Sequence, residues 1–326
     1  MIEVYLILAL VGAIVIDLLF GEPSNTYHPV AWMGRIIGFF VPKLKEHDSN
    51  LAKKEKQNGT TFSISLIITF GLATHFLAFL SFHLLGSVAI IIVSALILKI
   101  AIAIRGMEDS AKEIIGALER HDIYGARYNL SMIVRRDTKN LDEQHVLSGT
   151  IECISESTVD GIVSPLFFYS FFGPAGAFIY RVINTLDSMI GYFDKYHRDI
   201  GYMSARLDTV TNYLPARLAA FMMVMSANII GQDWKNSVQI MYRDHNKTIS
   251  YNAGYPMAAM AGALRIRLEK VGHYSLGDGY EDTTIEKCLT AISIMKLTTI
   301  LFCILFSIPL ISLLNFVGWW TLLFGF

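Results

Sequence analysis

Three carboxylates recur at helical spacing near the middle of the chain. Glu152, Glu156 and Asp160 lie at i, i+4 and i+8, so a helix would place them on one face. An apolar run begins at Ile162, so this face would stand beside buried or membrane-facing surface. Carboxylates in such surroundings usually face an arginine or a divalent cation such as Mg²⁺. The spacing therefore predicts a cation-binding face, and a solvated acidic stripe is the alternative.

A second polar block joins arginines to carboxylates between positions 181 and 217. Arg181 and Asn184, with Asp187 or Ser188, fall near one face of a helix, at i, i+3 and i+6 or i+7. Arginine forks suit phosphate or carboxylate groups, and carboxylates suit Mg²⁺. The other charged candidates in this block are Asp194, Arg198, Arg206, Asp208 and Arg217. So many charges in a charge-poor protein predict a polar binding cavity, and internal ion pairs that hold helices together are the alternative.

The composition indicates which class of protein must position these residues. Of the 326 residues, 53% are hydrophobic and 17% are charged, and the mean hydropathy is +0.45. Soluble proteins carry about a quarter charged residues, so the chain is predicted to be a polytopic membrane protein. The net charge of −1 gives no case for nucleic acid as a partner. The three cysteines show neither a CxxC motif nor a disulfide framework and are interpreted as small buried side chains.

Four apolar runs are long enough to cross a lipid bilayer. They cover residues 2–20, 62–82, 86–104 and 291–314. The first run has no basic leader and no cleavage site, so it is interpreted as a retained helix rather than a signal peptide. Five lysines between Lys43 and Lys56 predict a cytoplasmic loop, and Lys99 is expected to snorkel towards the interface. Asp17, near the end of the first run, is either functional or simply hydrated.

Two further apolar segments, 162–183 and 213–230, contain helix breakers. The first carries Gly173 and Pro174 in its middle, and the second has Pro215 near its start. Such breaks suit broken, re-entrant or protein-buried segments, so we expect buried or partial spans, with the polar helices facing the cytoplasm. The sequence shows no strand-like alternation and no internal repeat. It therefore predicts an all-α fold in one integral-membrane domain over residues 1–326.

Common nucleotide-binding and hydrolase motifs are missing from the chain. It contains no GxxxxGK[ST], GxGxxG, HExxH or GxSxG sequence and no zinc-type spacing of cysteine and histidine. If the protein uses a nucleotide, a P-loop does not hold it.

Six sequence blocks follow one another along the chain. They are DLLFGEPSNTYHPVAWMGR (17–35), RRDT (135–138), ECISESTVDGIVSPLFF (152–168), NTLDSMIGYFDKYHRDIGYMSARLDTVTNYLPAR (184–217), YRD (242–244) and NAGYPMAAMAGALRIRL (252–268). With these blocks in this order, the chain resembles the adenosylcobinamide-phosphate synthase family, membrane proteins of cobalamin biosynthesis, over nearly its whole length. One difference is Ser157 after Glu156, where many members have asparagine, and it affects only local hydrogen bonding.

The resemblance implies an amide-forming ligase in the cell membrane, with several spans and a cytoplasmic active site. Its substrates would be adenosylcobyric acid, a corrinoid, and (R)-1-aminopropan-2-ol or the O-phosphate of that amine. The product would be adenosylcobinamide or its phosphate. A carboxylate is a poor acyl donor, so ATP would activate it as an acyl phosphate while Mg²⁺ screens the phosphates. Assembly as a homo-oligomer, or with other enzymes of the corrinoid pathway, stays open.

The implied reaction suggests roles for the candidate residues. Asp187 or Asp208 would take a proton from the attacking ammonium, and His28 could do so instead or simply stabilise its turn. The predicted Mg²⁺ ligands are Asp137, Glu152, Glu156 and Asp160. The predicted ligands of nucleotide, phosphate and substrate carboxylate are Arg136, Arg181, Asn184, Arg198, Arg206, Arg217, Arg243 and Asn252.

Two other classes of function stay open at this point. A distant relative of the family acts as a membrane sensor in β-lactamase induction, so a binding protein without turnover is one alternative. A transporter with charges along a membrane path is the other. The presence of all the acidic and arginine blocks disfavours the sensor, and the clustering of charges outside the apolar runs disfavours the transporter.

Overall fold

Helices account for most of the chain. The computed structural model describes residues 2–24, 26–45, 51–192 and 194–324. Its helices are α1 (Ile2–Phe20), α2 (Pro29–Leu44), α3 (Ala52–Leu85), α4 (Ser87–Ala101), α5 (Ile104–Glu119), α6 (Ile123–Ser131), α7 (Glu143–Thr158), α8 (Ser164–Ile190), α9 (Tyr202–Thr211), α10 (Tyr213–Ile229), α11 (Trp234–Asp244), α12 (Gly254–Leu264), α13 (Ile285–Phe302), α14 (Ile308–Phe316) and α15 (Trp319–Phe324). Single π-helical turns, Val159–Val163 and Cys303–Ser307, follow α7 and α13. The all-α prediction is confirmed.

The chain divides into two compact units whose segments alternate along the sequence. The first unit comprises Met1–Ala103, Ser164–Thr211 and Ser307–Phe326. The second unit comprises Ile104–Val163 and Asn212–Phe306. No single boundary along the chain separates the units, and the predicted single domain stays a prediction.

Helix α8 forms the centre of the first unit, where it packs against α2, α3, α4, α9 and α14. Its buried residues Phe178, Val182 and Leu186 recur at helical spacing. They join Met33 and Ile37 of α2 in one apolar cluster. Helix α8, which carries Arg181, Asn184 and Asp187, therefore packs against a well-formed core.

Helix α7 has the same central position in the second unit, where it packs against α5, α6, α12, α13 and the first strand of a small hairpin. Four helices of this unit begin at a side-chain cap. Asp122, Asp142, Asp233 and Thr284 each accept the backbone N–H of the third residue beyond them. The cap at Asp142 sets where the helix that carries the acidic stripe begins.

The second unit also holds a hairpin that the sequence did not predict. Strands β1 (Leu268–Lys270) and β2 (Tyr274–Leu276) pair antiparallel, with Leu268 opposite Leu276. Three residues per strand are too few to show the alternation by which strands are recognised. A hairpin this short leaves the all-α class unchanged.

Five helical runs are long and apolar enough to cross a membrane, which confirms a polytopic helical membrane protein. They are Ile2–Phe20, Ala52–Leu85, Ser87–Glu119, Glu143–Ile190 and Ile285–Phe316. The apolar window of the fourth run is 78% buried, against 28% to 50% for the others, so segment 162–183 is largely covered by protein. Helix α10, which contains most of segment 213–230, is not one of the five.

The break predicted in segment 162–183 lies at Gly173. This residue has φ 64° and ψ −154° inside α8, directly before Pro174. Only glycine adopts that backbone region readily, and the proline removes a backbone donor from the helix. The kink thus lies within the glycine–proline pair that the sequence indicated.

The lysine-rich segment is more helical than predicted. Lys43 lies in the last turn of α2, and Lys53, Lys54 and Lys56 lie in the first turns of α3. Residues 46–50 lie outside the described residues. Lys43, Lys53, Lys54 and Lys56 are therefore helical rather than part of a loop.

Candidate functional site

Glu152 lies at the centre of a buried polar network in the second unit, where 6% of its surface is exposed. Its Oε1 is 3.3 Å from Nη2 of Arg136 and accepts a hydrogen bond of 3.1 Å from Ser148 Oγ. The Tyr274 hydroxyl donates to its Oε2 over 2.8 Å. The predicted Mg²⁺ ligand Glu152 and the predicted phosphate ligand Arg136 therefore neutralise each other inside the protein.

The same network attaches the hairpin to α7. Ser148 Oγ accepts the backbone N–H of Glu269 over 2.9 Å, and Arg136 donates to the Glu269 carbonyl over 3.3 Å. Burial raises the pKa of Tyr274, and the neighbouring Glu152 carboxylate raises it further, so this hydroxyl stays a donor. Three separate chain segments thus meet at Glu152.

The other predicted Mg²⁺ ligands differ from Glu152 in burial. Glu156 is exposed at the end of α7, and Asp160 is partly buried in the following π-helical turn. Asp137 is exposed, and its Oδ1 accepts the backbone N–H of Lys139 over 3.0 Å. In the described part of the chain, no three histidine, cysteine, aspartate or glutamate side chains form a group that could hold a metal ion. The four acids therefore do not form a ready-made set of protein ligands.

Two predicted phosphate ligands do meet in the second unit. Nη1 of Arg217 donates to Oδ1 of Asn252 over 3.3 Å. The guanidinium lies 3.6 Å from the ring centre of Tyr213 and 4.4 Å from that of Tyr255, so two aromatic faces hold it. This stacked arginine has a fixed orientation, which suits recognition of a planar carboxylate or a phosphate.

Arg243 takes part in a network around an aspartate that the predictions did not include. Its Nε and Nη2 donate to the two carboxylate oxygens of buried Asp244 over 2.7 and 2.8 Å, and its Nη1 donates to Asp278 over 2.6 Å. Lys247 and the backbone N–H of Gly277 also bond Asp244. The YRD block was the sequence signal for this pair.

The charge balance of Asp244 follows from these contacts. Burial alone would raise its pKa, but hydrogen bonds from Arg243, Lys247 and Gly277 outweigh burial and hold the pKa well below its usual range. Arg243 is itself held in its charged form, because its hydrogen bonds to Asp244 and Asp278 raise its pKa. A guanidinium with all three nitrogens bonded internally is suited to anchoring the chain.

The first unit carries the remaining candidates on two packed helices, α8 and α9. Arg181, Asn184 and Asp187 of α8 are all partly buried. On α9, Asp208 is partly buried and Arg206 is exposed beside Tyr202. Arg198 is exposed in the segment between the two helices.

His28 has both ring nitrogens engaged within the first unit. Nδ1 accepts the backbone N–H of Val30 over 3.1 Å and so caps α2, while Nε2 lies 2.7 Å from Oε2 of Glu22. With Nδ1 accepting, Nε2 is the nitrogen that donates. This geometry favours the turn-stabilising role over that of a base.

Lys99 and Asp17 form a buried ion pair next to His28. Nζ of Lys99 lies 3.3 Å from Asp17 Oδ1 and 3.3 Å from Glu22 Oε2. Burial alone would raise the pKa of Glu22, but the hydrogen bond from His28 and the charge of Lys99 lower it overall. Because Lys99 is only 6% exposed and Asp17 is fully buried, the snorkelling prediction for Lys99 is wrong.

A polar cavity of about 280 Å³ opens beside the start of α7 in the second unit. His145 and Ser148 of α7, Arg267, Glu269 of β1, and Asp282 are among the residues that line it. None of these residues was predicted as a site residue. They come from three separate chain segments, and the sequence alone does not show that these segments meet.

A sequence model of the CobD/Cbib protein family matches residues 10–302, which is most of the chain. The chain belongs to the CobD/Cbib family. The matched range includes every candidate site residue, and the resemblance to a family of cobalamin biosynthesis is confirmed.

Curated relatives of this CobD/Cbib family member resemble it over most of their length. It is 41% identical over 290 residues to the probable cobalamin biosynthesis protein CobD of Methanothermobacter thermautotrophicus, covering 89% of this chain and 93% of that protein. It is 42% identical over 280 residues to the cobalamin biosynthesis protein CobD of Dehalococcoides mccartyi, covering 85% of this chain and 87% of that protein. No solved structure matches it.

Proposed function

We propose that this protein acts in cobalamin biosynthesis as an amide-forming ligase. It would join the free carboxyl group of adenosylcobyric acid to the amine of (R)-1-aminopropan-2-ol or of its O-phosphate. The observation that carries the proposal is the family match over residues 10–302, together with relatives named for cobalamin biosynthesis at 41% and 42% identity. The polar candidates outside the apolar runs support an enzyme acting at the membrane surface.

The chemistry requires activation of a carboxylate, which is a poor acyl donor by itself. ATP would supply that activation, and Mg²⁺ would neutralise charge on its phosphates when bound. Proteins often hold Mg²⁺ with one or two carboxylates plus substrate phosphates, so exposed Glu156 and partly buried Asp160 fit such a site. Arg217, stacked between two tyrosines beside Asn252, would bind a phosphate or the corrinoid carboxylate.

The test is amide formation by purified, detergent-solubilised protein. Adenosylcobyric acid and Mg-ATP are supplied with either amine, and mass spectrometry looks for the new amide. The proposal expects a product that forms only when ATP is present. If corrinoid binds to folded protein but neither amine gives a product, the protein is a corrinoid-binding relative or needs a partner.

Glu156→Ala is expected to abolish turnover, because it removes one of the two accessible carboxylates proposed for Mg²⁺. Membrane insertion and the corrinoid affinity should be unchanged, since the side chain is exposed. The matched control is Glu143→Ala, an exposed glutamate in the first turn of the same helix. Full turnover in Glu156→Ala would show that the metal assignment is wrong.

A further inference from the structure

The cavity beside α7 has a size suited to a small metabolite. Its volume of about 280 Å³ lies just below the range for small-molecule sites, roughly 300–1,000 Å³. A corrinoid macrocycle with its side chains is far larger than this. Three carboxylates line the cavity, at Glu269, Glu281 and Asp282, so a nucleotide triphosphate would be repelled. The cavity therefore favours a small ligand that carries positive charge.

Charges of both signs line the cavity without neutralising one another. Among the described residues, Arg267 forms no ion pair with Glu269 or Asp282, and neither carboxylate has a basic partner. The Asp282 carboxylate accepts a long hydrogen bond of 3.4 Å from the side chain of Gln144. Glu281 does have a basic partner, because Nζ of Lys287 lies 2.6 Å from its Oε2.

Backbone contacts fix two of the segments that line the cavity. The backbone N–H of Glu269 is held by Ser148, and its carbonyl accepts from Arg136, so β1 is fixed against α7. Gly279, with φ 66°, brings the following segment against Arg267, since an added Cβ there would lie 3.2 Å from the Arg267 Cβ. The backbone thus presents one cation and two anions to the same small space.

We propose that this cavity binds the amine substrate of the ligase. Glu269 and Asp282 would bind its ammonium group, and Arg267 would bind a phosphate at the other end of the same molecule. This assignment rests on the proposed function, because it is the amide-forming reaction that requires an amine.

His145 lies in the wall of the same cavity and is the group suited to take the ammonium proton. Its Nδ1 lies 2.6 Å from Oδ1 of Asp142, the carboxylate that caps α7. The hydrogen bond from the backbone N–H of His145 lowers the pKa of Asp142, so Asp142 remains an acceptor. With Nδ1–H bonded to Asp142, Nε2 is left to accept a proton, and Asp142 fixes that tautomer.

Amide formation requires two protons to leave the nitrogen of the ammonium group. His145 Nε2 removes one proton from the ammonium, which leaves a neutral amine and a protonated imidazole. The nitrogen lone pair then forms the C–N bond at the activated carboxyl carbon. The C–O bond to the activating phosphate breaks, phosphate leaves with that electron pair, and the nitrogen gives its second proton to the departing phosphate. The imidazolium finally returns its proton to solvent.

Binding of the amine can be measured without turnover, by calorimetry with aminopropanol phosphate and the full-length protein in detergent. Glu269→Gln and Asp282→Asn are expected to weaken binding by about 10- to 100-fold each. Arg267→Gln should lower the affinity for aminopropanol phosphate much more than the affinity for free aminopropanol. The control Glu286→Gln, an exposed acid on α13 that does not line the cavity, should bind normally. Unchanged binding in all three cavity variants would overturn the assignment.

His145→Gln separates proton transfer from binding. It should keep the affinity for aminopropanol phosphate but lower kcat by roughly 10²- to 10⁴-fold. Hydroxylamine is already unprotonated at neutral pH and needs no base. With this nucleophile, the kcat values of the variant and the wild type should therefore differ much less. An equal loss with both nucleophiles would exclude His145 as the base. If wild-type protein makes no amide but still binds the amine through these residues, the proposed function fails while the binding site stands.

Discussion

The buried carboxylates of this CobD/Cbib family member are matched by basic side chains. Glu152 is paired with Arg136, Asp244 with Arg243 and Lys247, and Asp17 with Lys99. Burying a charge without a partner costs several kcal/mol, so each pair must form together with the fold. A charged residue at a conspicuous position is therefore as suited to holding the protein together as to binding a ligand.

Lys99→Met is expected to destabilise the protein by about 3–5 kcal/mol, because it leaves a buried carboxylate uncompensated. Lys99 bridges Asp17 and Glu22, so removing it affects both. Adding Asp17→Asn to Lys99→Met should recover part of the loss. The measurement is the unfolding transition in detergent for the single and double variants. A double variant less stable than Lys99→Met would contradict the pairing.

The pH dependence of the stability of Asp244→Asn tests how much the buried Asp244 charge stabilises the protein. The folded-state pKa of Asp244 lies below its unfolded value of 3.8, so its stabilisation is fully present above that pH. The stabilisation is lost as the pH falls from there towards the folded-state pKa. The stability difference between wild type and Asp244→Asn should therefore be constant near neutral pH and shrink below about pH 4. A stability difference that stays constant down to pH 2 would indicate that the charge of Asp244 does not stabilise the protein.

At the scale of elements, the β1–β2 hairpin is held by contacts at both of its strands. Tyr274 of β2 bonds Glu152, and Glu269 of β1 bonds Ser148. Just beyond β2, the backbone N–H of Gly277 donates to Asp244 over 2.8 Å. Two strands of three residues are marginal by themselves, so these side-chain anchors account for an ordered hairpin.

Two glycines of this region make a matched comparison. Gly272 and Gly277 both have positive φ, of 77° and 83°. An added Cβ at Gly272 meets nothing within 4 Å, whereas at Gly277 it would lie 2.2 Å from the Ile266 carbonyl oxygen. Gly272→Ala should therefore lower the free energy of unfolding by about 1–2 kcal/mol through the backbone conformation alone. Gly277→Ala should lower it clearly more, because the added Cβ also clashes with the carbonyl oxygen. Equal unfolding transitions for the two variants would contradict the close approach at Gly277.

At the scale of the whole molecule, basic residues predict which ends of the spans face the cytoplasm. Lysines at the start of α3 and basic residues after α5 predict that both places face the cytoplasm. The link between α3 and α4 is then on the opposite side. We expect single cysteines at Lys54 and Tyr124, introduced without the three native cysteines, to react with an impermeant maleimide from the cytoplasmic side only. A cysteine at Leu85 should react from the other side, and labelling of all three from one side would disprove the topology.

The sequence by itself determined the class of fold, four of the five span regions and the kink at Gly173. These features depend on hydrophobic length, helical period and the conformational limits of glycine and proline, which are properties of neighbouring residues. The shared acidic face and the arginine-rich binding cavity stay predictions, because spacing alone does not fix the surroundings of each side chain.

Only the tertiary structure decided what the charged residues contact. Arg217 meets Asn252, Glu152 meets Tyr274, and Lys99 meets Asp17, all across wide gaps in sequence. The cavity around Arg267, Glu269 and Asp282 likewise depends on how β1 and the segment after β2 pack against α7. Spacing along a helix shows which side chains share a face, but it contains no information about the distant segment that packs against that face.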